Sequence, residues 1–277
     1  MTYRELLQYG RARLRTAVPD EADGEARLLL QGVAGFGPGG YLLHSADEVP
    51  EELLDRYEVL LAERLSGRPL AYVLGEWEFC GLPFRVDERV LIPRPETELL
   101  VQAAEELAGE GPLLDLCTGS GCVAVALAHR TGLPVWAADL SADALEVARE
   151  NALSNGTDVR FLQGDLFGAL PADAPLFSLI ASNPPYVRRA EYVTLQPEIT
   201  RFEPELAFVA EEEGLAFYRR LAEEAASHLL PGGALCCEIG EDQGEAVCRL
   251  LREHGWQDVR LLRDLAGLDR TVTARRP

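Results

Sequence analysis

The sequence predicts an α/β protein: a parallel, doubly wound sheet preceded by a short all-helical segment. Three observations predict it. Beyond residue 113, strand-length apolar runs alternate with stretches of helical period, the pattern of a parallel sheet with helices on its faces. Over residues 1–75 the only periodicity is helical. Between the two, short apolar pieces flank Gly81-Leu82-Pro83 over residues 77–86, which reads as a hairpin joining two domains.

Each element follows in order. Residues 25–33 form a leucine-rich helical stretch, broken by Gly35-Phe-Gly-Pro-Gly-Gly40. Leu53, Leu54, Tyr57, Leu60, Leu61 and Leu65 then fall on one helical face. That stripe reads as bundle core, with a partner-recognition surface as the alternative; nothing basic and aromatic is interleaved as in a nucleic-acid reader. After the hairpin comes Leu91-Ile-Pro-Arg-Pro-Glu-Thr-Glu98, whose prolines hold Arg94 extended. Pro95 and the acids behind it favour a helix start, continued by Leu99, Leu100, Ala103 and Leu107. Strand-like runs lie at 113–116, 135–138, 159–162, 176–181, 234–239 and 259–262, and 269–274 is expected to return as an edge strand. Helical patterns at 123–128, 142–151, 215–229 and 245–252 separate most of them. Residues 187–213 are charged and weakly patterned, either a loop that folds over a substrate or an ordinary surface excursion.

Composition removes several function classes. At 277 residues, 47% of them hydrophobic, the chain has material for one large domain and a small one. The first residues lack an apolar stretch of signal-peptide length, and no run approaches the roughly 18 residues of a membrane span. A soluble cytoplasmic protein is expected. Cys80, Cys117, Cys122, Cys236, Cys237 and Cys248 form no C-x-x-C pair and share no ligand-like spacing with the four histidines, so reduced thiols and no metal are expected. Net charge is −20, and all 26 basic residues are arginine. Without lysine, Schiff-base chemistry and a P-loop lysine are excluded. A chain this acidic also disfavours extended DNA binding. Genome composition or heat adaptation would account for an arginine-only habit, and the sequence does not choose between them.

Asn183-Pro184-Pro185-Tyr186, directly after an apolar run, is the most informative stretch. Pro184 keeps Asn183 out of the helical region, and neither proline donates a hydrogen bond. The corner therefore offers two acceptors, Asn183 Oδ1 and the Pro184 carbonyl, which suit a planar NH2 group, while Tyr186 lies flat on the plane that carries it. A simple Asn-Pro turn is the competing reading. Upstream, the first strand of the sheet ends at Asp115, followed by Leu-Cys-Thr118-Gly119-Ser120-Gly121 and a helix. Two glycines so spaced permit a tight turn and close approach to a ligand at a helix N-terminus. Asp139 follows the second strand, eighteen residues past Gly121, and suits a ribose diol. Asp165 follows the third and could face an adenine amino group. The glycine loop also fits G-x-G-x-x-A, the nicotinamide dinucleotide fingerprint. Asp115, and the absence of any nearby arginine, favour the cationic S-adenosylmethionine over an anionic pyrophosphate. With Asn183 supplying a methyl-acceptor place, the set points to a methyltransferase.

These motifs resemble those of S-adenosylmethionine-dependent methyltransferases that modify amino groups. The Leu91–Glu98 segment, the Gly81–Pro83 hairpin and the helical start narrow the resemblance to the bacterial release-factor glutamine N5-methyltransferases (HemK type), over nearly the whole chain. The resemblance implies a Rossmann-like class I methyltransferase fold with a mostly parallel seven-stranded sheet. Implied domains are a helical substrate-recognition domain (1–75), a β-hairpin linker (76–92) and a methyltransferase domain (93–277). It implies methylation of the glutamine in the Gly-Gly-Gln motif of peptide-chain release factors by a monomer, without DNA or membrane. Thr118 to Gly121 take the family's nucleotide loop, Asp139 its ribose acid, and Asn183, Pro184, Pro185 and Tyr186 its substrate-amide clamp. Asp115, Asp165 and Leu166 complete the expected cofactor site. Arg94 is expected either in the substrate pocket or paired with Glu96 or Glu98. Cys117 stands where the family often has glycine, and Leu166 where an aromatic often packs on adenine. Rival readings are an amino methyltransferase acting on RNA or a ribosomal protein, a nicotinamide-dependent oxidoreductase, and a non-catalytic interaction module on the same scaffold.

Overall fold

The computed structural model describes residues 1–37 and 39–276; Pro38, within the expected glycine-rich break, and Pro277, the last residue of the expected methyltransferase domain, lie outside the described residues. The chain divides into two compact units, Met1–Gly75 with Pro197–Phe202, and Glu76–Gln196 with Glu203–Pro277.

The first unit is helical: α1 (Tyr3–Leu14), α2 (Ala22–Ala34), α3 (Gly40–His44), α4 (Glu51–Leu65) and α5 (Leu70–Leu74). Thr2 and Glu5 form a reciprocal capping box that starts α1. Leu6 and Leu14 of α1, Leu29 and Leu30 of α2, and Tyr57 and Leu61 of α4 are buried, so the leucine stripe of α4 is bundle core. The Arg64 guanidinium, also buried, holds Glu25 through both carboxylate oxygens at 2.8 and 2.9 Å and Glu198 at 3.0 Å.

The second unit opens with the hairpin β1 (Glu76–Phe79) and β2 (Leu82–Arg85), then α6 (Thr97–Leu107). The alternating elements follow: β3 (Leu113–Leu116), α7 (Cys122–Thr131), β4 (Val135–Asp139), α8 (Ala142–Ser154), β5 (Val159–Gln163) and β6 (Phe177–Ser182). Next come β7 (Val187–Arg188), α9 (Arg189–Tyr192), α10 (Pro197–Phe202) and β8 (Val209–Ala210). The chain ends with α11 (Ala216–Glu224), β9 (Leu229–Glu238), α12 (Gly244–Glu253), β10 (Gln257–Arg263) and β11 (Asp269–Arg275). Among the described residues the main sheet has seven strands in the order β10-β11-β9-β6-β3-β4-β5, with β9 to β5 parallel and β10 and β11 antiparallel. Every residue of β3 and β6 is buried, as a strand covered on both faces requires. Leu114, Leu116 and Ile180 pack on one face with Leu221 of α11 and Leu251 of α12; Leu113, Leu179 and Ala181 pack on the other with Leu100 of α6 and Val125 of α7.

Three local expectations change. The segment at 269–274 is not the edge: β11 lies between β9 and β10, with Thr271 to Ala274 all buried while no residue of β10 is. The helix expected to reach 229 stops at Glu224 and tightens into a 3-10 turn ending at His228, so β9 begins at Leu229 rather than 234. Residues 187–213 carry short elements rather than a bare loop, and α10 belongs to the helical unit. No helix among the described residues is long and apolar enough to cross a membrane.

Candidate active site

One cavity opens at the carboxyl ends of β3, β4, β5 and β6, where a doubly wound sheet places its ligands. The turn from β3 into α7 forms its floor. Gly119 and Gly121 have φ of 54° and 80°, a region open to glycine. At Gly121 a Cβ would also come within 3.0 Å of the Ala148 Cβ on α8. Thr118 and Ser120 are buried and, with Gly119, line the cavity. Cys117 and Leu166, the two departures from the family pattern, both line it and both have left-handed φ, 61° and 47°. Such angles are unusual for side chains with a Cβ and mark local strain. Burial pushes the Cys117 thiol far above its ordinary range, so it is a neutral wall.

The three acids differ from one another. Asp139 lines the cavity and bridges two elements, accepting the Gly119 N–H at 2.8 Å and the Ser141 N–H at 2.9 Å. Burial raises its pKa, and these N–H groups oppose the rise. Asp165 also lines the cavity, with Arg220 donating to its Oδ1 at 2.7 Å. Asp115 does not line it. Its carboxylate is buried beneath the loop and accepts the Thr118 hydroxyl at 2.5 Å. Burial pushes it up to about 7, with Thr118 opposing and Asp139 adding to the shift. Asp115 therefore acts on the cavity through the loop it braces. Gly121 is likewise off the lining and shapes the turn.

The expectation of a site without nearby arginine is corrected. Arg89 and Arg94 both line the cavity, yet each is matched by acid. Arg89 holds both oxygens of Asp87 and reaches Glu146 at 3.2 Å. Arg94 pairs with buried Glu203, not with Glu96 or Glu98. Glu203 also accepts the Ile92 N–H at 3.0 Å, pinning the proline segment to the start of the chain after α10.

At the end of β6, Asn183 and Pro185 line the cavity, while Pro184 and Tyr186, at the same corner, are off its lining. Asn183 Nδ2 donates to Thr97 Oγ1 at 3.2 Å. With the NH2 end engaged, Oδ1 is the amide's remaining acceptor. Tyr186 donates from its hydroxyl to Glu238 Oε1 at 3.3 Å, and its carbonyl accepts Gln243 Nε2 at 3.1 Å. Burial pushes the Glu238 carboxyl up to about 7, against Thr97, Arg270 and Tyr186, while Glu96 adds to the rise. Thr97 and Glu238 were missed in the sequence. Glu238 had a signal, a lone acid inside an apolar strand run; Thr97 sat unremarked in the Leu91–Glu98 segment.

The donor set fits a nucleoside carrying a positive charge. Asp139 offers a carboxylate to a diol, Val90, Leu140 and Leu166 offer apolar wall to a flat base, and no guanidinium on the lining lacks a carboxylate partner. A sheet of this order, with such a cavity and an Asn-Pro-Pro-Tyr corner beside it, defines an S-adenosylmethionine-dependent methyltransferase. Residues 5–75 match the family described as PrmC N-terminal domain, and residues 95–200 match Methyltransferase small domain. The chain is 44% identical to release factor glutamine methyltransferase from Chlorobaculum tepidum, covering 92% of this chain and 90% of that protein. It is 40% identical to release factor glutamine methyltransferase from Deinococcus radiodurans, over 100% and 99%. In fold it resembles a methyltransferase from Pyrococcus furiosus, with a TM-score of 0.56 at 18% identity over 82% of this chain and 99% of that one. The chain belongs to the release factor glutamine methyltransferase family.

Proposed function

We propose that this protein transfers the methyl group of S-adenosylmethionine to the side-chain amide nitrogen (N5) of the glutamine in the Gly-Gly-Gln motif of peptide-chain release factors. The observation that carries the reading is the Asn183 amide, engaged through its NH2 by Thr97 and so left with an acceptor oxygen at the edge of the cavity. Family membership supports the choice of a glutamine amide over other nitrogens.

When bound, S-adenosylmethionine supplies an electrophilic methyl on a sulfonium. Asp139 would accept hydrogen bonds from its ribose hydroxyls, and the turn from Thr118 to Gly121 would lie against it. Asp165 and Leu166 edge the base, the acid through an oxygen beside the one Arg220 holds. Asp115 keeps that turn in shape through Thr118.

An amide nitrogen is a poor nucleophile because its lone pair is shared with the carbonyl. Asn183 Oδ1 and the Pro184 carbonyl would accept the two N–H hydrogens of the substrate amide and so turn its nitrogen toward the cofactor side of the cavity. Positive charge grows on that nitrogen during transfer, so the two acceptors bind the transition state more strongly than the ground state. No strong base is needed: the bond to nitrogen replaces the methyl's bond to sulfur, which departs as a neutral thioether with that electron pair, and the N–H proton, made acidic by the new bond, passes to water. Tyr186 supports the amide plane. Arg94, held by Glu203, lines the substrate side of the cavity. The helical unit serves recognition of the protein substrate, and the enzyme acts as a monomer in the cytoplasm, without DNA.

Mass spectrometry of the tryptic Gly-Gly-Gln peptide, after incubation of release factor with the enzyme and methyl donor, tests the reading. One added methyl on the glutamine is expected. An unmodified glutamine beside methylated ribosomal RNA or ribosomal protein would move the function to one of those substrates.

A further inference from the structure

From Thr97 on the cavity wall, beside the corner that carries Asn183, a chain of buried polar side chains runs inward. Asn183 Nδ2 donates to Thr97 Oγ1 at 3.2 Å, and the Thr97 hydroxyl lies beside the Glu238 carboxylate and favours its anion. The Tyr186 hydroxyl donates to Glu238 Oε1 at 3.3 Å, while Oε2 has no hydrogen-bond partner among the described residues. Thr97 and Glu238 are each 2% exposed, so water does not compete for these groups. The Tyr218 hydroxyl fixes the Glu238 backbone carbonyl at 2.9 Å and keeps the end of β9 in place.

We propose that Glu238 and Thr97 are positioning residues that set which way the Asn183 amide faces. The proposal rests on the methyl-transfer reading above. An ionised carboxylate only accepts hydrogen bonds, and a threonine hydroxyl has a single proton. Glu238 Oε2, without another partner among the described residues, is the acceptor open to that proton, and giving it up leaves Thr97 Oγ1 with lone pairs alone for Asn183. Only the NH2 end of the Asn183 amide satisfies them, so Oδ1 turns the other way, toward the incoming acceptor. Were the carboxylate absent, the hydroxyl would be free to donate to Asn183 Oδ1. The amide would then present its NH2 to a substrate that also offers NH2, a donor facing a donor. The same carboxylate receives Tyr186, so one buried acid orients both Asn183 and Tyr186.

The test compares Thr97→Val, Thr97→Ser and Glu238→Gln in the full chain at alkaline pH. Three quantities are measured: turnover on release factor, calorimetric affinity for S-adenosylhomocysteine, and protection of the Asn183 side-chain NH2 in spectra of nitrogen-labelled protein. Thr97→Val and Glu238→Gln are expected to lower kcat by ~10- to 100-fold with product affinity unchanged within about threefold. The Asn183 NH2 signal, assigned by its loss in Asn183→Ala, should lose protection in both. Thr97→Ser keeps the hydroxyl and should retain both rate and protection. Wild-type kcat in Glu238→Gln would overturn the proposal, as would equal losses in Thr97→Ser and Thr97→Val, or a loss traced entirely to product affinity. If Thr97→Val fails to fold, Glu238→Gln and Thr97→Ser still decide. A wild type inactive on release factor would remove the substrate reading alone, since the NH2 protection tests the orientation without turnover.

Discussion

Asn183 and Asp115 illustrate two ways a residue serves a site: one at the cavity and one beneath it. Removing a single preorganised polar partner lowers turnover by ~10²–10³. Asn183→Ala is therefore expected to lose most of its kcat while calorimetry finds cofactor affinity within a few fold; wild-type turnover would discard the clamp. Asp115 gives a pH signature instead. Burial raises its pKa from 3.8 to about 7, so between those values the folded state binds more protons than the unfolded one. Its contribution to stability declines as pH rises through that window, by at most about 1.4 kcal/mol per pH unit. Asp115→Asn abolishes the titration, so the variant's Tm relative to wild type should climb from pH 4 to pH 7; a flat difference would refute the buried carboxyl. Asn183, Asp139 and the glycine turn were legible in the sequence because each follows a strand end, which topology brings to one edge. Asp115 was read as facing the ligand because sequence gives a strand end but not which way its side chain turns. Glu238 lay hidden for the opposite reason: its partners, Thr97 and Tyr186, come from distant segments.

The elements were legible wherever burial was two-sided. β3 and β6 read as largely apolar runs, interrupted only by Asp115 and by Ser178 and Ser182, and their positions follow from that pattern. β11 was misjudged because Thr271 and Thr273 look like solvent positions, yet both are buried between two neighbouring strands. β9 was shortened by its own Pro231-Gly232-Gly233, which reads as a turn but lies within the strand at a register shift against β6. The junction of β3 and α7 carries the sharpest element-scale prediction. Gly121→Ala would place a Cβ 3.0 Å from Ala148 at a φ of 80°. A loss of about 1–3 kcal/mol is expected, together with weaker cofactor binding as the turn shifts. A thermal melt and calorimetry at wild-type values would contradict the close approach of α7 and α8.

At the scale of the whole molecule, the two units differ in what holds them. In the helical unit a buried guanidinium joins α2, α4 and α10 through Glu25 and Glu198. Removing one partner of a buried ion pair leaves an uncompensated charge, so Arg64→Ala should destabilise this unit by about 3–5 kcal/mol. All three tryptophans, Trp77, Trp136 and Trp256, belong to the other unit. In urea, the helical circular dichroism of Arg64→Ala should therefore begin to fall before tryptophan fluorescence changes; coincident wild-type transitions would count against it. The sequence changes period near residue 75, but the compact unit there also takes in α10, whose six residues carry too little pattern to assign. Because α10 packs with the first unit and its flanking residues with the second, the polypeptide passes between them three times. Trimming the gene after codon 75 would thus leave both fragments incomplete: one product would keep Arg64 and Glu25 without Glu198, and the other would carry α10 without the unit it packs with.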